Sequence, residues 1–412
     1  MNTYLVGGAV RDALLGLPVR ERDWVVTGAT PEEMAAQGFR PVGKDFPVFL
    51  HPQTQEEYAL ARTERKTARG YRGFAFHTGP EVTLADDLVR RDLTVNAIAQ
   101  DADGTLIDPH GGRRDLEAKL LRHVSPAFAE DPVRILRVAR FATRFAPLGF
   151  RIADETMTLM RQMVAAGEAD ALVPERVWRE CERALMHERP SVFFEVLRDC
   201  GALARVMPEL DALFGVPQRA DYHPEIDAGI HTLMCVDAGA RLQAPLPVRV
   251  AALLHDLGKA ATPPAEWPSH RLHEQRGLPL VERYCERLRV PAACRDLALI
   301  VTRDHLNVHR VAELRPQTLL ELLERLQALR RPEVFSQALD ACLCDARGRK
   351  GFADCDYPPV SFLREAAAVA GEVQARDVVA DGYSGVAVGE ELQRRRIAAL
   401  KAWKAGPGTR PA

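Results

Sequence analysis

Short apolar runs alternate with turn signals through the first hundred residues. Residues 4–6 are apolar and run into Gly7-Gly8, after which Val10, Leu14 and Leu15 recur at helical spacing until Gly16 and Pro18 interrupt it. This pattern predicts strand, glycine turn and helix. Arg20-Glu-Arg-Asp-Trp-Val-Val26 then reads as a second strand, in which Glu21 and Asp23, two apart, share one face while Trp24 and Val26 face the core. Thr30-Pro31-Glu32-Glu33 opens a short helix, with Thr30 as N-cap and Pro31 at the first position. Residues 46–50 and 57–61 alternate as paired strands do. Residues 62–73 have no apolar period and carry several glycine and basic breaks, so a mobile loop is expected there, able to close over a ligand. Residues 86–97 predict an amphipathic helix bearing Arg90, Arg91 and Asp92.

Beyond a turn-rich stretch at 107–112 the pattern becomes helical and stays so. In residues 130–144, Asp131 can cap a helix and Pro132 fits its first turn. Ile135, Val138, Ala139, Ala142 and Phe145 fall on one side of that helix, and Arg134, Arg137, Arg140 and Arg144 on the other. An arginine row without interleaved carboxylates repels itself, so phosphates are its expected partners. Arg176, Arg179 and Arg183 share a face further on, either solvated or along a nucleic-acid path. Turn residues at 216–224 mark the best boundary. After it, His231 sits in a helical run, and an apolar helix ends in His255-Asp256 just before Gly258-Lys259, with His273 downstream. A basic segment at 393–404 precedes a frayed end at 406–412. The expected organisation is an α+β head with a small sheet at about 1–125, a helical neck and body at about 126–220, a compact unit at about 225–330 and a helical tail at about 331–412.

At 412 residues the chain exceeds what one core usually supports, and its 47% hydrophobic and 27% charged residues are those of an ordinary soluble protein. The start is polar and leads into a strand, and no apolar run is long enough to span a bilayer, so no membrane association and a cytoplasmic location are expected. Eight Cys without paired spacing read as reduced, mostly buried thiols. A formal net charge of -2 argues against indiscriminate nucleic-acid binding, which leaves local arginine clusters to meet any RNA.

The chemistry concentrates in two places. Gly7 and Gly8 lack β-carbons, so a phosphate can approach the backbone, and the amides opening the helix favour an anion. Two carboxylates side by side at Glu21 and Asp23 repel unless cations lie between them, and a Mg²⁺ pair carrying a triphosphate answers that need. The second place is the His231, His255, Asp256 set. Imidazoles with a carboxylate suit Ni²⁺, Co²⁺ or Mn²⁺ better than Mg²⁺.

Taken in order, with Arg11-Asp12 on the intervening helix, the head resembles the polymerase-β nucleotidyltransferase superfamily, which implies an α+β head whose small sheet is mixed. Over nearly its whole length the chain is similar to bacterial CCA-adding enzymes, class II tRNA nucleotidyltransferases of the multifunctional type. That family usually has Asp where Glu21 stands, a change that keeps the charge and lengthens the arm by one methylene. The resemblance implies attack of a tRNA 3′-hydroxyl on the α-phosphate of CTP or ATP, with Glu21 and Asp23 binding Mg²⁺ and with Gly8 and Arg11 holding the triphosphate. Glu57 falls where the superfamily often has a further acidic residue, against the plainer reading of a strand-edge charge. Arg91 and Asp92 match a pair that contacts the nucleotide. Glu130, Asp131 and Arg134 match a Glu-Asp-x-x-Arg motif that selects C and A by the hydrogen-bonding edge of the base, and Arg137 and Arg140 would hold base or phosphates. The His-Asp segment resembles the HD phosphohydrolase signature, with His231 upstream and the fourth ligand open among Asp304, His305 and His273. It implies phosphatase, 2′-nucleotidase and 2′,3′-cyclic phosphodiesterase activity. A poly(A) polymerase shares the head, but the HD segment and the absence of a long basic extension speak against it. An HD phosphohydrolase with a nucleotide-sensing head is disfavoured by the intact carboxylates. Monomer and homodimer both remain open.

Overall fold

A computed structural model describes residues 1–42, 48–66 and 74–406. The chain divides into two compact units, one comprising residues 1–184 with 192–206, the other 185–191 with 207–412.

The first unit is built on β1 (Asn2–Val6), α1 (Gly8–Leu14), β2 (Asp23–Thr27), α2 (Pro31–Ala36), β3 (Arg40–Val42), β4 (Val48–Leu50) and β5 (Glu57–Leu60). There follow β6 (Arg62–Lys66), β7 (Phe74–Thr78), α3 (Leu84–Val89), β8 (Ala99–Gln100), β9 (Leu106–Ile107), α4 (Gly112–Glu117) and β10 (Leu120–Leu121). Seven strands form one sheet in the order β3-β4-β5-β2-β1-β8-β9, in which β2 and β5 run parallel and the other pairs antiparallel. The sheet is therefore mixed, as the resemblance leads one to expect. Successive residues of β2 point to opposite faces. Val25 joins a core with Val6, Leu88, Ala97 and Ala99, whereas Val26 packs with Met34, Phe39, Phe49 and Leu60. Trp24 lies on the Val26 side, stacked on Tyr58 with ring centroids 5.4 Å apart.

Thr30 caps α2 as expected, its hydroxyl accepting from the Glu33 amide while the Glu33 carboxylate accepts from the Thr30 amide. Three expectations need correction. Strand β2 starts at Asp23, so Glu21 precedes the strand instead of lying on it. Residues 62–66 are not loop but β6, paired antiparallel with β7, because ladder hydrogen bonds do not require alternating apolar side chains; the rest of the expected loop, 67–73, lies outside the described residues. The helix expected over 86–97 is α3, capped by Thr83 and finished at Val89. Its continuation is broken because the Asp92 carboxylate accepts from the Leu93 amide at 2.8 Å, a local bond that competes with the helix, before a single 3₁₀ turn at Thr94–Asn96.

Helix α5 (Val133–Phe145), strand β11 (Arg151–Ile152), α6 (Asp154–Ala165) and α7 (Pro174–Leu185) continue the first unit, followed by α8 (Ser191–Asp199) and α9 (Ala202–Val206). The second unit is helical: α10 (Pro208–Asp211), α11 (Ala228–Arg241), α12 (Leu246–Leu254), α13 (His273–Leu288), α14 (Ala292–His309), α15 (Pro316–Arg325) and α16 (Pro332–Arg347), then α17 (Pro359–Glu372), α18 (Ala375–Ala380) and α19 (Val386–Ala405). Helices α11, α12, α14 and α16 pack on one another through side chains such as Val236, Val250, Leu254, Val301 and Leu339, all essentially inaccessible. All eight cysteines are free thiols and seven are buried.

Candidate active sites in the two units

In the first unit β1 ends where β2 and β5 begin. Val6 pairs with Asp23, and Asp23 pairs with Glu57, so two carboxylates stand side by side at the sheet end next to the Gly7-Gly8 turn. Parallel neighbours in a sheet lie roughly 4.8 Å apart. Asp23 keeps contact with solvent, yet partial desolvation raises its carboxyl above the usual range; Arg91 opposes that shift and Glu21 adds to it. Three acidic side chains thus share one neighbourhood, a donor set suited to hard divalent cations. Gly7 has φ +67°, so the backbone favours glycine, and a β-carbon there would lie 2.9 Å from Arg91 Nη1, which shows how near that guanidinium comes to the turn. Gly8 opens α1 directly behind it.

The arginines named from the sequence are more occupied than their pattern suggests. Arg11 is buried, donates to Asp12 Oδ1 at 2.8 Å and to Asn96, and lies over the Phe141 and Phe145 rings. Burial lowers its pKa and Asp12 partly offsets this. Arg91 donates to Asp87 Oδ2 at 3.0 Å and to the Asn96 carbonyl at 3.3 Å. Asp92 is saturated: one oxygen takes the Leu93 amide and Asn96, the other Arg137 Nε at 2.7 Å. Burial works against its charge, but Arg137, Asn96 and Arg134 hold the carboxyl well below the ordinary range.

The arginine row of α5 does not depend on phosphates for its partners. Arg134 donates to the carbonyls of Ala127 and Arg90 at 2.8 and 2.7 Å, Arg137 pairs with Asp92, Arg140 with Glu180 and Arg144 with Asp12 at 2.7 Å. Acceptors come from other elements, which a helical wheel cannot display. At the helix start Asp131 Oδ1 takes the Val133 amide at 3.0 Å, and Arg176 from α7 grips both carboxylate oxygens at 3.2 and 2.9 Å. Glu130 ends the 3₁₀ turn just before it. Asp131 and Arg134 are thus each held in a fixed orientation, the first by Arg176 and the Val133 amide and the second by the Ala127 and Arg90 carbonyls. Asn96, Asp87 and Glu180, which hold these arginines, carried no sequence signal of their own.

In the second unit, His231 on α11, His255 and Asp256 at the end of α12, His273 opening α13 and His305 on α14 converge in the interior, each almost wholly buried. The four rings are set alike. His231 Nδ1 faces Glu225 Oε1 at 2.9 Å, His255 Nδ1 the Ala252 carbonyl at 2.9 Å, His273 Nδ1 the His270 carbonyl at 2.9 Å, and His305 Nδ1 the Val301 carbonyl at 3.1 Å. Each acceptor claims the Nδ1 proton and turns Nε2 inward, the arrangement that orients imidazoles as metal ligands. His255 Nε2 and Asp256 Oδ1 are buried without a hydrogen-bond partner.

Asp345 on α16 completes the cluster, its Oδ1 3.0 Å from His231 Nε2 and its Oδ2 3.7 Å from His255 Nε2. His309 Nε2 donates to Asp345 Oδ2 at 2.6 Å, and the Tyr357 hydroxyl donates to His309 Nδ1 at 2.7 Å. Asp345 was not among the sequence candidates; it shares α16 with Glu333 and Asp340, and nothing in its spacing singles it out. Asp304 points elsewhere, bonded to Arg325 at 2.9 Å and to Asn307 at 3.1 Å. Burial disfavours charge on His231, but Cys235, Asp345 and Glu225 together lift its pKa well above the usual imidazole range. Burial holds His305 well below that range. His231, Cys235, His255 and Asp345 form one set of donors within 4.8 Å of one another, and Asp256, His273 and His305 form another.

A glycine turn beside paired carboxylates on a mixed sheet, and a buried His-Asp cluster in a helical unit, define a nucleotidyltransferase head followed by an HD domain. Family models match accordingly: the Poly A polymerase head domain over residues 3–122, the probable RNA and SrmB- binding site of polymerase A over 149–214, and the HD domain over 228–346. The chain is 64% identical to the multifunctional CCA protein of Alkalilimnicola ehrlichii, covering 98% of this chain and 97% of the relative. It is also 64% identical to that of Thioalkalivibrio sulfidiphilus, over 98% and 99%. The chain belongs to the multifunctional CCA protein family. Its fold is similar to that of the Bacillus stearothermophilus CCA-adding enzyme in complex with CTP, at 24% identity and a TM-score of 0.63 over 97% of this chain and 89% of that one.

Proposed function

We propose that the first unit adds and repairs the 3′-terminal CCA of tRNA from CTP and ATP without a nucleic-acid template. The observation that carries this reading is the row formed by Gly7-Gly8, Asp23 and Glu57 at one end of the sheet, in a chain of this family. Glu21 and Asp23 fit Mg²⁺, since they are accessible hard oxygen donors that repel one another, and Glu57 can share the load. Bound Mg²⁺ would lower the pKa of the attacking hydroxyl and stabilise pyrophosphate as it leaves. Gly8 lets the triphosphate approach the backbone, and Arg91, held by Asp87, directs its charge toward the same end of the sheet. Asp131 and Arg134 offer an acceptor and a donor to the base edge, and Arg176 fixes the acceptor's plane. Arg137 and Arg140 are read as parts of the same wall, set by Asp92 and Glu180. Incubating the full chain with labelled CTP, ATP, UTP and GTP and a tRNA lacking its 3′ end tests the proposal. Addition limited to C, C and A supports it; a poly(A) tail or no incorporation would refute it.

For the second unit the reading is metal-dependent hydrolysis of phosphate esters, including phosphatase, 2′-nucleotidase and 2′,3′-cyclic phosphodiesterase activity. His231, His255, Asp256 and Asp345 are the ligands that fit a single ion, with Asp345 taking the place sought at Asp304 because Arg325 already occupies that carboxylate. A mixed nitrogen and carboxylate donor set favours Ni²⁺ or another transition metal. The partners of the chain in this reading are tRNA and nucleotides. No helix among the described residues is long and apolar enough to cross a membrane.

A further inference from the structure

The His-Asp cluster is closed on most sides, and its contact with solvent lies at one edge. His231, His255, His273 and His305 keep 6% or less of their side chains accessible, whereas His223 keeps 20% and His309 25%. These two outer imidazoles meet the same inner pair. The His223 ring lies 4.5 Å from that of His231, His309 Nε2 lies 2.6 Å from Asp345 Oδ2, and His231 Nε2 lies 3.0 Å from Asp345 Oδ1. Two exposed aromatic rings flank this edge: Tyr222, next to His223, is 57% accessible and Phe352 is 38% accessible. Arg219 lies over the Tyr222 ring at 4.9 Å, and Arg349 over the Phe352 ring at 4.4 Å. Arg349 also donates to the Tyr222 carbonyl at 3.4 Å, and the Lys350 amide donates to Glu225 Oε2 at 3.1 Å, so residues 219–225 and 349–352 form one rim. Arg310, next to His309, is within electrostatic reach of Tyr222 and brings α14 to the same rim. Each ring is thus steadied by a guanidinium on one face, and its exposure leaves the other face to solvent. Charge decides what such a rim fits. Arg219 pairs with Asp221 and Arg310 with Glu313, so the rim is not the row of uncompensated cations that a phosphate track needs. Flat rings held at its edge fit a flat ligand, a nucleobase, which stacks on aromatic side chains whatever its sequence context.

We propose that Tyr222 and Phe352 form a base-stacking subsite at the mouth of the second unit, taking the nucleobase of a nucleoside 2′-phosphate or 2′,3′-cyclic phosphate whose ester enters past His223 and His309. The proposal rests on the reading of this unit as a phosphate-ester hydrolase. It deepens that reading by naming residues that select nucleotides over phosphate esters without a base. The two rings touch the base and not the reacting atoms, so they set specificity and take no part in bond breaking. Their position supports this role: Tyr222 adjoins His223, whose Nδ1 lies 3.2 Å from Glu225 Oε1, and the same oxygen lies 2.9 Å from His231 Nδ1. A base on the rim is therefore separated from the buried cluster by a single layer of side chains.

The test compares hydrolysis of 2′,3′-cyclic AMP with that of glycerol 1,2-cyclic phosphate, which carries the same five-membered ester without a base. The full chain is measured beside Tyr222→Ala, Phe352→Ala and Tyr222→Phe, with thermal unfolding as the folding control. Each alanine variant should lower the ratio of the two kcat/KM values by roughly tenfold, mainly through KM for the cyclic nucleotide, and Tyr222→Phe should keep the ratio. A second readout does not depend on turnover. Photolysis of the full chain with 8-azidoadenosine 2′-phosphate, followed by peptide mass spectrometry, should label the segment around Tyr222 or Phe352, with less label there in Tyr222→Ala. An unchanged ratio with hydrolysis retained, equal losses on both esters, or label confined to the first unit would overturn the base subsite while leaving the hydrolase reading intact. No hydrolysis of either ester by the wild-type chain would overturn both.

Discussion

Asp23 shows how much a single residue's meaning depends on its neighbours. Its carboxyl is raised by desolvation, with Glu21 contributing and Arg91 opposing, a balance that a divalent cation would reverse. Asp23→Ala should therefore abolish both C and A addition, by on the order of a thousandfold or more in rate, with an unchanged unfolding midpoint. Glu57→Gln should lose less, because it retains a carbonyl oxygen; steady-state rates with both nucleotides check the order. Arg134→Ala is expected to do two things, since its guanidinium also satisfies the Ala127 and Arg90 carbonyls. Stability should fall by roughly 1 to 3 kcal/mol, and the CTP-over-UTP and ATP-over-GTP ratios of kcat/KM should shrink. Asp131→Ala should shrink those ratios as well, and unchanged ratios in both variants would remove the motif from nucleotide selection. Asp92 differs in kind: its pKa is depressed on folding, so its contribution is present above the unfolded value and lost as pH falls below about 4. The melting temperatures of wild type and Asp92→Asn should accordingly converge on acidification. The residues that hold these groups, Asn96, Asp87, Glu180 and Asp345, were not legible in the sequence, because each is an ordinary polar residue whose role comes from contacts across 40 or more positions in several cases. Gly7, Asp23, His231 and the His255-Asp256 pair were singled out by their order in combination and by the family resemblance, since each alone has a plainer reading, and the structure brings Gly7 beside Asp23 and His231 beside His255 and Asp256.

At the scale of elements, the strand, turn and helix opening the chain and the α2 cap follow from local rules, and the structure contains them. Where local rules failed, a longer-range demand won. The helix expected beyond Val89 stops because Asp92 takes the Leu93 amide, and Leu93 also bridges to His123. That termination turns Arg91 toward the glycine turn, so the departure from periodicity belongs to the candidate site. Residues 62–66 form a strand despite their polar character, because their partner strand supplies the order that the side chains do not. In the second unit the turn from α12 into α13 is the element on which the proposed metal ligands depend. Gly258→Ala should be among the most disruptive small substitutions in the chain, since its β-carbon would overlap the His273 carbonyl and approach the Gly277 amide at 2.7 Å. Overpacking of this sort costs about 1 to 3 kcal/mol or more. A lowered unfolding temperature together with reduced transition-metal content is expected, while a variant that melts and binds as wild type would show that α13 can shift freely.

At the scale of the molecule, the two proposed chemistries draw on separate compact units, with the head carboxylates in the first and the His-Asp cluster in the second. No ligand named for either site is shared with the other. The donor sets also differ, accessible oxygens in one and buried imidazoles in the other, so different cations should load them. This separation predicts that His255→Ala combined with Asp256→Ala removes metal-stimulated hydrolysis of a 2′,3′-cyclic phosphate yet leaves CCA completion on a truncated tRNA within about tenfold of wild type. The double substitution also removes the carboxylate that Lys259 faces and leaves that ammonium buried, a cost of several kcal/mol that could unfold the second unit. His255→Gln alone provides the control, since it keeps Asp256 with Lys259 and replaces the imidazole by an uncharged amide. Retained hydrolysis in both variants would show that the cluster is not the hydrolytic centre. Loss of CCA completion by His255→Gln, with an unchanged melting profile, would show instead that the two units are coupled in function.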